Sequence, residues 1–401
     1  MAGNFPPPLP TWDAVAAEAT KVLEAHWSPD LRCTLPHAVA YPHRWLWDSC
    51  FHVIAWASLG RPEAGIELES LLASRLATGV GRGFLPHMVY GAASRNGNGI
   101  NRGMLRGMSS FTQPPVYALA LTALLESGVE PVAWLLPAVT EALRWLWGAR
   151  LDAGLLTIVH PWESGADISP RFDDWYGSVH FDRLDEDYDR LVETTSYDEA
   201  GVATSNSVLV VAPSAFNGIA ADAARRIAAL TGDRAWSVRQ VDLQAQIDEQ
   251  LWDDRESLWV DRAIHPGGAA RSGSSSGLIP TLDGVLGALG STSGERAQRA
   301  LGQCVGSGRF AAPFGPRYLP ADHPLYRPNV YWRGPAWPQL NFLLIEAARR
   351  HGLEDIADEL TETTLRGVWA SGFSEYWNPE TGEGRGATPQ SWSAVAVALR
   401  P

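Results

Sequence analysis

The chain has 401 residues, 45% of them hydrophobic, and a formal net charge of -13 with a pI near 5.2. That length and content support a large core, and a closed barrel can run this long as one unit. The acidic balance excludes a nucleic-acid groove, which needs a basic patch, and no run of about 18 apolar residues is present to suggest a membrane span.

After a proline-rich tail over residues 1–10, Thr11 caps an amphipathic helix predicted over 11–27. An extended arm over 32–40 leads into Tyr41-Pro-His-Arg-Trp45-Leu-Trp47-Asp48, followed by helices over 49–59 and 62–77. Residues 83–101 read as a Gly/Asn-rich loop holding His87 and Tyr90, with Arg102 just beyond it. Pro114-Pro115 open a helix to Glu126, and Pro131 opens one to Arg150. Residues 154–160 read as a short strand delivering an acidic loop, and 172–199 as an irregular, Asp-rich excursion. Helices are then predicted over 213–230, 235–252, 280–289, 295–305, 337–351, 354–370 and 390–399. A Gly/Ser-rich stretch over 262–277 and a Pro-punctuated loop over 310–333 lie between them. About twelve helices with no composition break suggest one all-α domain spanning 1–401, a toroid of six helical hairpins.

The chemistry is concentrated in loops. His160-Pro-Trp162-Glu163-Ser-Gly-Ala-Asp167-Ile-Ser-Pro-Arg171 holds two carboxylates, an indole and a cation in a Gly/Pro/Ser-rich setting. A second acidic loop, around Glu375-Tyr-Trp-Asn-Pro-Glu380, lies far downstream. Glycoside hydrolysis needs one carboxyl kept protonated for the leaving oxygen and another ionised to activate water or attack. Judged singly, Asp167 could be a turn residue and Glu375 a solvated surface side chain. Their company argues otherwise. Trp45, Trp47 and Asp48 precede one helix, Gln113 another, Tyr331-Trp332-Arg333-Gly-Pro-Ala-Trp337 a third, and Gln390-Ser-Trp392 the last. The 18 tryptophans divide between core filling and walls that stack on sugar faces.

These motifs together resemble glycoside hydrolase family 63, above all its small bacterial members acting on mannosylglycerate and glucosylglycerate. The Glu163-Ser-Gly-Ala-Asp167 stretch is also similar to trehalases of family 37. The resemblance runs from about Tyr41 to Trp392 in the same order. It implies an (α/α)6 barrel, α-glycoside substrates and inversion at the anomeric carbon. It matches Asp167 to the general acid and Glu375 to the general base. Tyr41, Trp45, Trp47, Asp48, Gln113, Trp162, Tyr331, Trp332, Trp337, Gln390 and Trp392 match positions facing the sugar or the aglycone. Tyr90 and Arg333 join them as loop side chains able to reach a substrate.

The expectation is an inverting hydrolase of a small α-glucoside or α-mannoside, with two carboxyls about 6.5–9.5 Å apart. A trehalase-like α-glucosidase and a sugar-binding toroid without turnover are the alternatives. The aglycone is a disaccharide partner, a polyol or glycerate. The stretch 181–190 is short and strongly acidic where glycerate-acting relatives carry a longer loop with an arginine, which favours a neutral aglycone. Arg102, Arg317, Arg327 and Arg333 are loop cations that could still pair with glycerate. No metal site or other cofactor is expected, because the histidines are scattered and Cys33, Cys50 and Cys304 have no ligand spacing. The three thiols and the absence of a basic and apolar leader point to the cytoplasm. A homo-oligomer is left open.

Overall fold

The computed structural model describes residues 9–91, 105, 107–173, 184–264 and 279–400. The proline-rich tail, Arg102 with most of the 83–101 loop, and most of the Gly/Ser-rich stretch lie outside them.

The described residues contain twelve α-helices and a terminal 3-10 helix. They are α1 Trp12–Ala25, α2 Leu46–Ser58, α3 Glu63–Ala73, α4 Tyr117–Glu126, α5 Leu135–Arg150 and α6 Leu184–Glu193. Then come α7 Ser214–Thr231, α8 Arg234–Gln246, α9 Leu282–Leu286, α10 Gly294–Leu301, α11 Pro338–Arg350 and α12 Glu354–Ser371, with the 3-10 helix at Ser391–Ala398. Helix pattern decides helix position. In α2 every residue from Leu46 to Ala57 is buried, as an inner element requires. In α1 only Val15, Ala19, Val22 and Leu23 are buried, a single stripe facing inward from an outer layer.

The inner layer closes on itself. Helix α2 packs on α4, α4 on α7, α7 on α9, α9 on α11, α11 on the 3-10 helix, and the 3-10 helix back on α2. The outer layer is α1 on the 3-10 helix, α3 and α5 around α2 and α4, α8 on α7, α10 on α9 and α11, and α12 on α11. This is an (α/α)6 barrel. A single apolar cluster runs through it from Val15 to Leu399.

Boundaries follow the expected signals in most places. Thr11 accepts a hydrogen bond from the Ala14 N–H at 3.3 Å, and Asp233 caps α8 through Ala235 at 2.9 Å. Two expectations fail. Residues 172–199 are not wholly irregular, since they contain α6 and a strand at Thr195–Tyr197. The last helix is 3-10 rather than α.

The connections are asymmetric. The first five inner helices lead to their outer partners through connections of two to eight residues, such as Gly232-Asp233 between α7 and α8. Each is entered from a longer segment, several braced by two-residue β-ribbons: Arg44–Trp45 pairs with Met88–Val89, and Tyr376–Trp377 with Gly384–Arg385.

Candidate active site

A cavity of about 540 Å³ opens where the chain enters the inner helices. Tyr41, Trp45, Trp47 and Asp48 come from the entry to α2, and His87, Met88, Tyr90 and Gln113 from the segment before α4. Trp162, Gly165, Asp167 and Tyr188 come from the segment before α7, Tyr331 from that before α11, and Glu375, Tyr376, Gln390 and Trp392 from the entry to the 3-10 helix. Chain segments more than 300 residues apart meet here: the Tyr41 hydroxyl donates to Glu375 Oε1 at 3.0 Å.

Glu375 is held from three sides. Besides Tyr41, the Ala387 N–H donates to Oε2 at 2.9 Å, and the Trp392 indole donates to the Glu375 carbonyl at 3.0 Å. Gly386 makes the second contact feasible: it sits at φ +70°, and a Cβ there would collide with Oε2. Burial drives the Glu375 carboxyl up to about 7, against the opposing hydrogen bonds from Ala387 and Tyr41.

Asp167 follows a 3-10 turn, Pro161–Ser164, that ends on Gly165 at φ +78°. A Cβ on Gly165 would lie 2.5 Å from the Trp47 ring, so this loop and the start of α2 pack face to face. Tyr188 on α6 donates to Asp167 Oδ2 at 2.8 Å. Burial raises the Asp167 carboxyl above the usual range, and the Tyr188 hydrogen bond opposes that. The Trp332 indole stands close enough to favour the charged form as well, although its N–H makes no hydrogen bond of good geometry.

The loop carrying Asp167 is anchored at both ends by buried ion pairs. Glu163 meets Arg150 at 2.5 Å, and also accepts from the backbone N–H groups of Val159 at 2.8 Å and Thr112 at 3.2 Å. Arg171 bridges Asp261 at 2.6 Å and Asp283 at 3.2 Å. The Tyr318 hydroxyl joins that cluster, contacting Asp283 and lying 2.8 Å from Ser169 Oγ.

Asp48 is the third residue of α2 rather than its cap; Trp45 occupies the cap position. Its carboxyl is pushed up to about 6 by burial, opposed by His52 and by the Gln390 amide, which reaches Oδ1 at 3.4 Å. The Gln113 side-chain Oε1 accepts from the Trp47 backbone N–H at 3.2 Å, satisfying a donor that the start of α2 leaves open. His87 stacks beside Trp162 with ring centroids 5.7 Å apart, and burial lowers its imidazole to about 3, so it is neutral.

Three of the sequence-selected residues stand behind the wall. Trp332 and Trp337 are fully buried and stack on each other at 3.7 Å, with Trp337 4.7 Å from the cavity-lining Tyr376. Their bulk fits them to the core better than to open solvent. Arg333 pairs with Asp173 through two hydrogen bonds of 2.6 and 2.7 Å, and does not line the cavity. Arg317 is likewise committed, to Glu380 at 2.6 Å. Sequence reading missed Tyr188, Tyr376, His87 and Met88 as lining residues. The Leu184, Tyr188, Leu191 spacing was the available signal for the first.

A family model described as the mannosylglycerate hydrolase MGH1-like glycoside hydrolase domain matches residues 41–393. The chain belongs to that family, within glycoside hydrolase family 63. It is 30% identical to a mannosylglycerate hydrolase from Thermus thermophilus, over 91% of this chain and 95% of that one. It is 28% identical to a glucosylglycerate hydrolase from Mycolicibacterium hassiacum, over 89% and 91% of the two chains. The crystal structure of a family 63 mannosylglycerate hydrolase from Thermus thermophilus, in complex with Tris and D-glycerate, superposes with a TM-score of 0.78 at 26% identity. That match covers 96% of this chain and 99% of the other. The family 63 chain described here is therefore a glycoside hydrolase built on the barrel seen above.

Proposed function

We propose that this family 63 enzyme hydrolyses a small α-glycoside of glycerate, an α-mannoside or α-glucoside, with inversion. Asp167 is the general acid and Glu375 the general base. The observation that carries this reading is the pair itself: two carboxyls on loops from distant parts of the chain face one cavity, both driven toward their neutral forms by burial. Asp167 protonates the leaving oxygen, and Glu375, ionised, takes a proton from water attacking the opposite face of the sugar. Tyr41 and the Ala387 N–H hold Glu375 in place for that step. Trp45, Trp47, Trp162 and Trp392 offer ring surface to the sugar, while Asp48, Gln113 and Gln390 offer hydrogen-bonding groups.

The relatives support glycerate as aglycone. Of the acidic stretch that pointed to a neutral one, Asp189 is exposed and does not line the cavity, while Tyr188 turns inward; Asp182, Asp185, Glu186 and Asp187 lie outside the described side chains. A second reading, a polyol aglycone, is favoured by one observation. Among the described residues no lysine or arginine lines the cavity. Hydrolysis of glucosylglycerate, mannosylglycerate, glucosylglycerol, trehalose, kojibiose and nigerose at equal concentration separates the two. Proton NMR should show the β-anomer as the first sugar released from an α-glycoside; an initial α-anomer refutes inversion. A cytoplasmic setting accords with three unpaired, buried cysteines, and no described helix is long and apolar enough to cross a membrane.

A further inference from the structure

Beneath the cavity floor lies a hydrogen-bonded chain that the reaction above does not use. His52 stands one turn beyond Asp48 on α2, Glu67 is on α3, and Ser391 opens the 3-10 helix; all three are completely buried. His52 Nδ1 is 2.9 Å from Glu67 Oε1, and Nε2 is 2.7 Å from Ser391 Oγ. The order Ser–His–Glu is that of a hydrolase triad, but no solvent or cavity reaches Ser391, so it has no substrate to attack.

Counting protons gives the chain a different character. Ser391 Oγ lies 2.8 Å from the Leu35 carbonyl, which can only accept. The single hydroxyl proton is used there, so Oγ turns a lone pair toward His52, and Nε2 carries a hydrogen. Glu67 Oε2 accepts from the Thr34 N–H at 3.0 Å and from its hydroxyl at 2.8 Å, as a carboxylate does. Oε1 and Nδ1 share the proton between them, so the ring is held at both nitrogens: by Glu67 on one side and by Ser391 on the other.

Ser391 sits between two cavity residues. Gln390 reaches Asp48, and Trp392 donates to the Glu375 carbonyl. We propose that His52, clamped by Glu67, is a positioning residue for the general base: by fixing Ser391 it sets Trp392 and Gln390, and through Trp392 the Glu375 loop. This rests on Glu375 being the base of a glycosidase.

Two measurements test it. Nitrogen-15 NMR of the full-length, histidine-labelled protein should show a hydrogen on His52 Nε2 at pH 7; a ring protonated on Nδ1 alone overturns the proposal. Ser391→Ala, with Glu67→Gln as a second variant, is then assayed per folded molecule on the preferred glycoside and on the matching α-glycosyl fluoride. Misplacing the base should lower kcat about 10- to 100-fold on both substrates by the same factor. Unchanged kcat in the folded variants, or a loss on the glycoside alone, overturns it. A wild-type protein inactive on every glycoside and fluoride would instead remove the glycosidase reading, and the positioning role with it.

Discussion

Glu375 and Asp167 are both raised by burial, yet the proposed reaction needs one charged and one neutral. Glu375 titrates at about 7, against 4.5 for an unburied glutamate. Activity should therefore fall as pH drops below about 7 and this base takes up its proton. The same shift has a stability consequence. A carboxyl whose folded value lies above its unfolded one favours folding fully below the unfolded value, and that contribution is lost as pH rises through the folded one. At about 1.4 kcal/mol per pH unit, ionising Glu375 in place costs on the order of 3 kcal/mol. Glu375→Gln should abolish turnover yet raise the melting temperature at pH 8, with no gain at pH 4; an equal change at both would contradict this. On the acid side, Asp167→Asn should lose the natural glycoside while keeping much more activity on a glycosyl fluoride, which needs little proton donation. Tyr188→Phe removes a hydrogen bond that favours ionised Asp167, so the alkaline limb of the pH–rate profile should move upward. Asp167, Glu375 and most of the aromatic wall were legible because unusual residue types clustered in Gly- and Pro-rich loops. Tyr188 was not, because charged neighbours on its helix masked the inward face.

The loop bearing Asp167 behaves as a suspended element, tied at Glu163 to the end of α5 and at Arg171 to Asp261 and Asp283. In the sequence Glu163 was the second carboxylate of the Asp167 loop, with no role of its own. The fold makes it an anchor, because its partner Arg150 ends the preceding helix and both are shut off from water. Truncating one member strands the other charge. Arg150→Met should cost about 3–5 kcal/mol, read as a lower urea midpoint, and should also reduce kcat by loosening Asp167. Arg333 teaches the same lesson in reverse: a loop cation suited to an anionic ligand is engaged by Asp173 instead. Pairings of this kind join residues far apart in the chain, so spacing alone could not assign them. Apart from α6, which was missed, helix positions were legible to within a few residues because proline, glycine and capping side chains mark them locally.

At the scale of the molecule, the all-α class followed from periodicity, whereas ring closure depends on contacts between chain ends. The 3-10 helix fills the gap between α11 and α2, α1 covers it, and the Trp12 indole donates to the Val397 carbonyl at 3.2 Å. A chain ending after Gln390 should lose cooperative unfolding altogether, because the buried faces of α2 and α11 would open to water; calorimetry would show it. A sharp two-state transition in that truncated chain would mean the ring is not the cooperative unit.

The asymmetry of the connections has a practical side. Residues touching the cavity all lie in segments entering inner helices or in their first turns, and the opposite rim is built from turns around Gly60, Gly128, Gly232 and Gly352. A Cβ at any of these four would meet nothing within 4 Å, so the rim is open, although the positive φ at each still favours glycine. Fusion partners, affinity tags, surface attachment points or new chain termini placed on that rim should therefore leave turnover intact. Grafts on the other rim would rewrite the substrate range.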